Sequence, residues 1–271
     1  MEHALQPYTA LVPRTDKLVV QKVGNTALVT LDNPPANTWD SDALHGLLEL
    51  LAHLQQDTDI RALVITGRGE RFFSAGADLR QFADADKARA RELARLFGRA
   101  FEALRDFSGV SIAAINGYAM GGGLECALAC DIRIAERQVQ LALPEAGVGL
   151  LPCAGGTQAL AWLVGEGWAK RMILCGERID GVRAERIGLV EEVVEQGQAL
   201  PAALRLAAQV SRQSPHALRA CKGLIQGARS QPLNSLLAEE RERFVDLFEL
   251  QDTREGVAAF LEKRPPQWRN R

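Results

Sequence analysis

Three consecutive glycines at 121–123 constrain this chain more than any other segment. They follow the apolar run 110–115 and open a segment with helical periodicity, so a strand must turn into a helix here. Glycine has no Cβ and lets a ligand approach the backbone closely. The first N–H groups of a helix have no intrahelical acceptor and lie at the positive end of its dipole. Glu125 therefore sits beside candidate donors for an oxyanion.

The bulk composition is that of an ordinary globular protein, with 271 residues, 47% of them hydrophobic and 24% charged. The formal net charge of −2 and the lack of long runs of one sign indicate neither nucleic acid nor a membrane surface as a partner. The apolar runs are far shorter than a bilayer span. Residues 1–17 have no apolar block, so we interpret them as an N-terminal extension and not as a signal peptide.

The five cysteines lie in apolar segments without C-x-x-C spacing, which predicts reduced thiols in a cytoplasmic protein. Cys126 and Cys130 would share a helix face, but no histidine or carboxylate accompanies them at ligand spacing. We therefore predict no metal site. The glycine segments match neither G-x-G-x-x-G nor the P-loop pattern, and no G-x-S-x-G is present, which disfavours nucleotide binding and a Ser-His-Asp hydrolase.

Periodicity predicts an α/β core over 18–197 followed by a helical region over 198–271. A hairpin is expected around Gly24-Asn25, and Asp40 or Ser41 is expected to cap the first helix. Further strands are expected at 62–66, 111–115, 131–135 and 140–143. Further helices are expected at 87–104, at 124–130, from Gly155 onward, and at 201–212, 215–228, 233–250 and 253–263.

Glu125 and Glu145 each lie within an apolar stretch. A carboxylate in such a setting is costly by several kcal/mol unless it is paired or protonated. Because desolvation raises a carboxyl pKa toward neutrality, two such acids suit general acid–base catalysis. A structural role stays open for either acid considered alone.

Four motifs occur in a shared order and spacing: Ser-Ala-Gly-Ala-Asp-Leu at 74–79, the stretch 116–125, Pro144-Glu145, and Gly-Gly-Thr-Gln at 155–158. In this order they resemble the enoyl-CoA hydratase/isomerase (crotonase) family, and the resemblance extends over about 18–268. It implies a crotonase-like spiral of ββα units with a C-terminal helical region that drives trimerisation. Trimers in this family often pair into hexamers.

The resemblance also implies roles for individual residues. The backbone N–H groups of Ala77 and Gly122 map to the oxyanion hole that binds the thioester oxygen, with each donor worth ~2.7–4 kcal/mol in the transition state. Glu145 would exchange a proton with C2, while Glu125 would orient and help deprotonate the water added at C3. Cys153 stands where many hydratases have glycine; its N–H would help position the water, and its side chain would add volume near Glu145.

Other matched positions border coenzyme A in relatives, namely Ala36, Ala75, Asp78, Leu79, Arg80, Phe244 and Lys263. Arg80 could meet a phosphate, whereas Lys263 is nearly as well explained as a solvated charge. An apolar set in the following region, Phe82, Leu93, Leu96, Phe97 and Phe101, suits either an acyl pocket or the core.

We therefore expect a cytoplasmic 2-enoyl-CoA hydratase that adds water reversibly in syn fashion to give 3-hydroxyacyl-CoA in fatty acid metabolism. Neither a metal nor a redox cofactor is expected, and coenzyme A enters only as part of the acyl-CoA substrate. The expected partners are that substrate and further copies of the chain, as a trimer or a dimer of trimers. Three alternatives remain: an enoyl-CoA isomerase, a dehydratase/thioesterase that releases a 2-unsaturated fatty acid messenger, and a non-catalytic acyl-CoA-binding protein.

Overall fold

The computed structural model describes residues 6–8 and 15–270. The predicted N-terminal extension 1–17, and with it the expectation that no signal peptide is present, falls largely outside these residues. The chain divides into two compact units, Met1–Ala207 and Ala208–Arg271. Within the described ranges, no helix is both long and apolar enough to cross a lipid bilayer.

The strands of the first unit form two sheets. They are β1 (Gln6–Pro7), β2 (Leu18–Val23), β3 (Thr26–Leu31), β4 (Ala62–Gly67), β5 (Phe72–Ser74), β6 (Val110–Ile115), β7 (Tyr118–Met120), β8 (Ile132–Glu136), β9 (Gln140–Ala142), β10 (Ile179–Asp180) and β11 (Glu192–Val194). In the described chain the larger sheet has the order β1-β2-β3-β4-β6-β8-β11, and the smaller one has the order β10-β9-β7-β5.

Helices cover the sheets and form the C-terminal region. They are α1 (Ser41–Leu54), α2 (Lys87–Arg105), α3 (Gly122–Ala129), α4 (Gly156–Leu174), α5 (Gly181–Arg186), α6 (Ala199–Val210), α7 (Pro215–Gly227), α8 (Leu233–Asp246) and α9 (Gln251–Leu261). The α/β class predicted from the sequence is confirmed, because parallel strands alternate with helices through the first unit.

The predicted hairpin is present. β2 and β3 pair antiparallel from Leu18 opposite Leu31 to Val23 opposite Thr26. The two-residue loop between them contains Gly24, whose φ of 59° lies in the left-handed region that glycine tolerates. From β3 onward the larger sheet is parallel, and β4 is buried along its whole length, as is typical of a parallel strand with both faces covered.

The helix boundaries follow from side-chain caps and apolar faces. Asp40, one of the two predicted candidates, caps α1 by accepting a hydrogen bond from the Ala43 N–H at 3.0 Å. Asp86 caps α2 in the same way. Residues of α2 at helical spacing pack into the core, namely Leu93, Phe97, Ala100, Phe101 and Leu104.

Several short elements differ from the sequence-based expectation. β1, β5, β7, β10 and β11 were not predicted, because strands of two or three residues are too short to show a period. The helix α5 was missed because its six residues make fewer than two turns. The helix expected at 124–130 begins earlier, at Gly122, so two of the glycines form its first turn. The helix expected over 233–250 ends at Asp246 and continues as a 3₁₀ helix, Leu247–Glu249.

The second unit consists of helices and a C-terminal segment that returns along them. Ser214 caps α7, and Pro215 occupies the first position, where its missing N–H has no consequence. Buried Asp252 accepts hydrogen bonds from the N–H groups of Arg269 and Asn270 at 2.8 and 2.9 Å. The Trp268 indole N–H donates to the Arg212 carbonyl at 2.8 Å. These bonds attach the C-terminal segment to this unit.

Candidate active site

A cavity of about 750 Å³ opens in the first unit where the ends of several elements meet. It is lined by the loop after β5, one face of α2, the turn from β7 into α3, and the segment that follows β9. Both predicted acids, Glu125 and Glu145, line it, as do both predicted oxyanion residues, Ala77 and Gly122. The structure therefore brings together in one cavity residues from three segments that lie far apart in sequence.

Backbone hydrogen bonds of Trp39 to the two neighbours of Ala77 fix the orientation of the Ala77 amide. The Trp39 N–H donates to the Gly76 carbonyl at 2.8 Å, and the Trp39 carbonyl accepts from the Asp78 N–H at 3.0 Å. In such a parallel bridge the intervening Ala77 N–H points away from Trp39. Gly122 is the first residue of α3, where an N–H has no intrahelical acceptor. Both groups are suited to donate to a ligand.

These two amides are close neighbours because glycine lets their loops touch. A Cβ on Gly76 would lie 3.2 Å from the Gly122 nitrogen, and a Cβ on Gly122 would lie 3.6 Å from the Ala77 nitrogen. A Cβ on Gly123 would lie 2.3 Å from the Ser74 carbonyl oxygen. Gly76 and Gly121 also have φ angles of 95° and 53°. The glycine run thus permits backbone-to-backbone packing of the loop after β5 on the start of α3.

Glu125 lies in the first turn of α3 and is buried. Its Oε1 accepts hydrogen bonds from the N–H groups of Ala154 and Gly156 at 2.8 and 2.9 Å. Burial raises the pKa of this carboxyl, while the N–H groups of Gly156, Ala154 and Cys153 oppose that rise. Glu125 is therefore held in one orientation by the backbone that begins α4.

Glu145 begins a short 3₁₀ helix, Glu145–Val148, on the opposite segment. Burial, followed by the negative charge of Glu125, raises its pKa to about 7. Its Oε2 is buried without a hydrogen-bond partner among the described residues. A Cβ on Gly121 would lie 3.0 Å from Glu145 Oε1, so glycine at 121 leaves room for the carboxyl. An acid with a pKa near neutrality can both donate and accept a proton at pH 7.

Cys153 lies on the cavity wall, with part of its surface open to solvent. Burial of the thiol, together with the charges of Glu125 and Glu145, raises the pKa of Cys153 to about 11. The side chain is therefore a neutral thiol at pH 7, while its backbone N–H acts on the Glu125 carboxyl. Whether this N–H also positions a water, as the sequence led us to expect, stays a prediction.

The sequence comparison identifies the family to which this site belongs. The enoyl-CoA hydratase/isomerase family model matches residues 21–271. The chain belongs to the enoyl-CoA hydratase/isomerase family. This finding confirms the resemblance predicted from the four sequence motifs.

Relatives with assigned activities are similar over nearly their whole length. The 2,3-dehydroadipyl-CoA hydratase of Escherichia coli is 40% identical over 260 residues, which cover 94% of this chain and 99% of that protein. The short-chain-enoyl-CoA hydratase of Clostridium acetobutylicum is 35% identical over 250 residues, covering 92% and 96%.

Solved structures show the same architecture. A structure of Pseudomonas aeruginosa DspI is 72% identical, with a TM-score of 0.94, covering 97% of this chain and 100% of that one. An enoyl-CoA hydratase from Bacillus anthracis is 32% identical, with a TM-score of 0.91, covering 94% and 100%.

The positions matched to coenzyme A contacts in this family fall into two groups. In the first unit, Ala75 and Leu79 line the cavity, and the Ala75 N–H donates to the Ala36 carbonyl at 2.9 Å. Asp78 and Arg80 form a two-point ion pair with both N···O distances at 2.8 Å, so Arg80 is engaged by its neighbour. In the second unit, Phe244 and Lys263 are exposed, and Phe244 packs edge-on against Phe248. Their contacts with coenzyme A stay predictions.

The apolar set at 82–101 divides between cavity and core. Phe82 and Phe97 line the cavity, whereas Leu93 and Phe101 are buried in the core and Leu96 packs against it. Sequence reasoning did not identify several further lining residues, namely Ala90, Ala94, Val148, Leu150, Leu151 and Arg178. The spacing of Ala90, Ala94 and Phe97 is that of one helix face and could have indicated the first two. No sequence signal indicates Arg178.

Proposed function

We propose that this protein is a 2-enoyl-CoA hydratase, whose reaction reversibly adds water to the double bond of an acyl-CoA thioester to give 3-hydroxyacyl-CoA. One observation carries the proposal: Glu125 and Glu145 face the same cavity as the adjacent amides of Ala77 and Gly122. A double-bond isomerase needs only one acid to move a proton, whereas hydration uses one group for the water and one for the carbon.

The geometry supports a sequence of proton and electron shifts in which all atoms balance. The thioester oxygen accepts hydrogen bonds from the Ala77 and Gly122 N–H groups. Glu125 takes a proton from a water whose oxygen bonds to C3, the π pair between C2 and C3 moves to form a C1–C2 double bond, and the carbonyl π pair moves to the thioester oxygen as an enolate. Glu145 then donates its proton to C2 as the enolate carbonyl re-forms, and proton exchange with solvent returns Glu125 to its ionised form and Glu145 to its protonated form. We propose that water and proton add to the same face of the double bond, as the family resemblance implies.

The relatives support an acyl-CoA substrate, and the cavity supports an apolar acyl chain. The E. coli relative is named for dehydroadipyl-CoA and the C. acetobutylicum relative for short-chain substrates. In this chain the alanine face of α2 and the exposed side chains of Val148, Leu150 and Leu151 offer apolar surface beyond the acids. We include chains longer than four carbons among the substrates for that reason.

Other features support the proposed cytoplasmic location and the proposed assembly of several copies of the chain. All five cysteines are free thiols, which suits the reducing cytoplasm. Large apolar side chains are exposed on α8 and α9 and just after α8 in the second unit, namely Leu233, Phe244, Phe248, Phe260 and Leu261. Surfaces of this kind mark association sites, which supports the trimer or dimer of trimers expected from the family. The chemistry above uses backbone amides and carboxylates, so we expect no metal or redox cofactor.

Purified protein should be supplied with 2-enoyl-CoA thioesters from C4 to C12, and hydration followed as loss of the conjugated thioester absorbance. Mass spectrometry of the products separates the alternatives. A 3-hydroxyacyl-CoA product supports hydration, and a shifted double bond without added water indicates an isomerase. Free unsaturated acid with released coenzyme A indicates dehydration followed by thioester cleavage. Acyl-CoA binding without any product would indicate a binding protein and contradict the proposal.

A further inference from the structure

Three buried aromatic rings, those of Trp39, Phe101 and Phe97, contact one another in a row beside the cavity, and we call them the aromatic stack. Trp39 and Phe101 meet edge-to-face with ring centroids 5.5 Å apart and planes at 76°. Phe101 and Phe97 meet in the same manner at 6.0 Å and 83°. All three side chains are at most 3% exposed. Edge-to-face contacts between rings in a close-packed interior fix the positions of the rings relative to one another.

The two ends of this stack meet the two oxyanion donors. At one end, the backbone of Trp39 bonds to Gly76 and Asp78 and so brackets the Ala77 amide. At the other end, the Phe97 ring lies against the start of α3, where a Cβ on Gly122 would be 3.2 Å from Phe97 Cε1. The Phe97 ring also lines the cavity. The rings therefore connect the segments that carry the Ala77 and Gly122 N–H groups.

We propose that Trp39, Phe101 and Phe97 are positioning residues that set the separation of the two oxyanion donors. A donor stabilises the developing enolate only when it lies about 2.7–3.1 Å from the oxygen. Because packed side chains do not deform continuously, rings of this size hold the loop after β5 and the start of α3 at a fixed spacing. Removal of a ring lets the two amides move relative to each other, which weakens their hydrogen bonds to the thioester oxygen.

The indole nitrogen of Trp39 allows the effect of ring packing to be tested apart from any effect of hydrogen bonding. Trp39 Nε1 is buried without a hydrogen-bond partner among the described residues. The shape of the ring is thus what Trp39 contributes through its side chain. Trp39→Phe keeps a ring and loses no hydrogen bond, whereas Trp39→Leu loses the ring. A matched control is Phe107→Leu, because Phe107 is an equally buried ring near the far end of α2 that does not line the cavity.

This inference rests on the proposed function only through the acyl thioester ligand, so its test uses a saturated ligand that cannot react. Butyryl-CoA labelled with ¹³C at the thioester carbonyl is bound to wild type, Phe101→Leu, Trp39→Leu, Trp39→Phe and Phe107→Leu. Infrared difference spectra give the carbonyl stretch, which falls as hydrogen bonds to the oxygen strengthen. Hydration kinetics of crotonyl-CoA give kcat and KM, and thermal unfolding gives Tm for each variant.

We expect the carbonyl stretch in Phe101→Leu and Trp39→Leu to return toward that of free butyryl-CoA. We also expect kcat to fall about tenfold, since small misplacements at a catalytic site are costly in rate, with KM changed less than threefold. Trp39→Phe should recover most of both effects, and Phe107→Leu should lower Tm alone. If Phe101→Leu and Trp39→Leu do not fold, Phe97→Leu is compared with Trp39→Phe, and only the former should move the carbonyl stretch toward that of free butyryl-CoA.

A carbonyl stretch identical to wild type in the folded leucine variants of Trp39, Phe101 or Phe97 would overturn the inference, whatever their Tm. A wild type that shifts the carbonyl stretch but hydrates no enoyl-CoA would overturn the proposed function and leave the stack in place. A wild type that binds no butyryl-CoA would overturn both.

Discussion

Glu125 and Glu145 share one cavity but are held in opposite ways. Glu125 accepts two backbone hydrogen bonds on a single oxygen, whereas the buried Oε2 of Glu145 has no hydrogen-bond partner in the described part of the chain. The backbone bonds favour the ionised form of Glu125 against the effect of burial, which suits the proposed role of orienting a water. The unpartnered, desolvated oxygen favours a Glu145 that holds a proton until substrate arrives. We propose that the division of roles between the two acids follows from this asymmetry.

Glu145→Gln should stabilise the protein at alkaline pH. The folded-state pKa of about 7 lies above the value of 4.5 for a free glutamate. As pH rises from 4.5 to 7, the unfolded chain releases this proton while the folded chain keeps it, so wild-type stability falls across that window. Allowing for the partial exposure of Glu145, the loss is about 1–2 kcal/mol. Unfolding measured at pH 5 and pH 8 should show a higher free energy of unfolding for the variant than for wild type only at pH 8. An equal difference at both pH values would contradict this pKa.

Gly156→Ala should disturb Glu125 directly. A Cβ at this position would lie 2.9 Å from both Cγ and Oε1 of Glu125, so the carboxyl must move. We expect kcat for hydration to fall at least tenfold and the free energy of unfolding to fall by about 1–3 kcal/mol. Gly147→Ala is the control, because a Cβ there meets no described atom within 4 Å although Gly147 lines the same cavity. Equal kinetics for the two alanine variants would show that hydration does not need the placement of Glu125 by the Ala154 and Gly156 N–H groups.

Cys153→Ala should retain activity. The variant keeps the backbone N–H that acts on Glu125 and removes a thiol whose pKa of about 11 leaves it neutral. We expect kcat within about threefold of wild type, because a neutral thiol is a poor nucleophile and a poor base at pH 7. A hundredfold loss in kcat, with Tm unchanged, would instead give the thiol a chemical role.

Chelation should leave hydration unaffected. Backbone amides and carboxylates supply every proton and charge in the proposed sequence, so prolonged dialysis against EDTA should not change kcat/KM for crotonyl-CoA. Loss of activity that Zn²⁺ or Mg²⁺ restores would require a different mechanism.

The sequence indicated the two acids of the candidate site but few of the other residues that line its cavity. Glu125 and Glu145 stand out because each acid interrupts an apolar stretch, and the long helix at Lys87–Arg105 stands out because its apolar period repeats over several turns. The cradle formed by Ala154 and Gly156 has no such signature, since a backbone N–H looks the same in every residue. Arg178 was missed for a related reason, because only the pairing of β9 with β10 brings it to the cavity.

The contacts within the aromatic stack could be predicted from the sequence only in part. Phe97 and Phe101 are one helical turn apart and their shared face was predictable, but their use in cavity or core was not. The contact of Phe101 with Trp39 joins α2 to a loop more than fifty residues earlier in the chain, and no local pattern encodes it.

The central claim is that Glu125 and Glu145 act together as the acid and base of hydration. The direct test is the rate of crotonyl-CoA hydration by Glu125→Gln, Glu145→Gln and the double variant, with exposed Glu102→Gln as the matched control. We predict that each single variant loses about 10²–10⁴-fold in kcat, that the double variant loses no more than the product of the two, and that Glu102→Gln matches wild type. Hydration by the double variant within twofold of wild type would contradict the account.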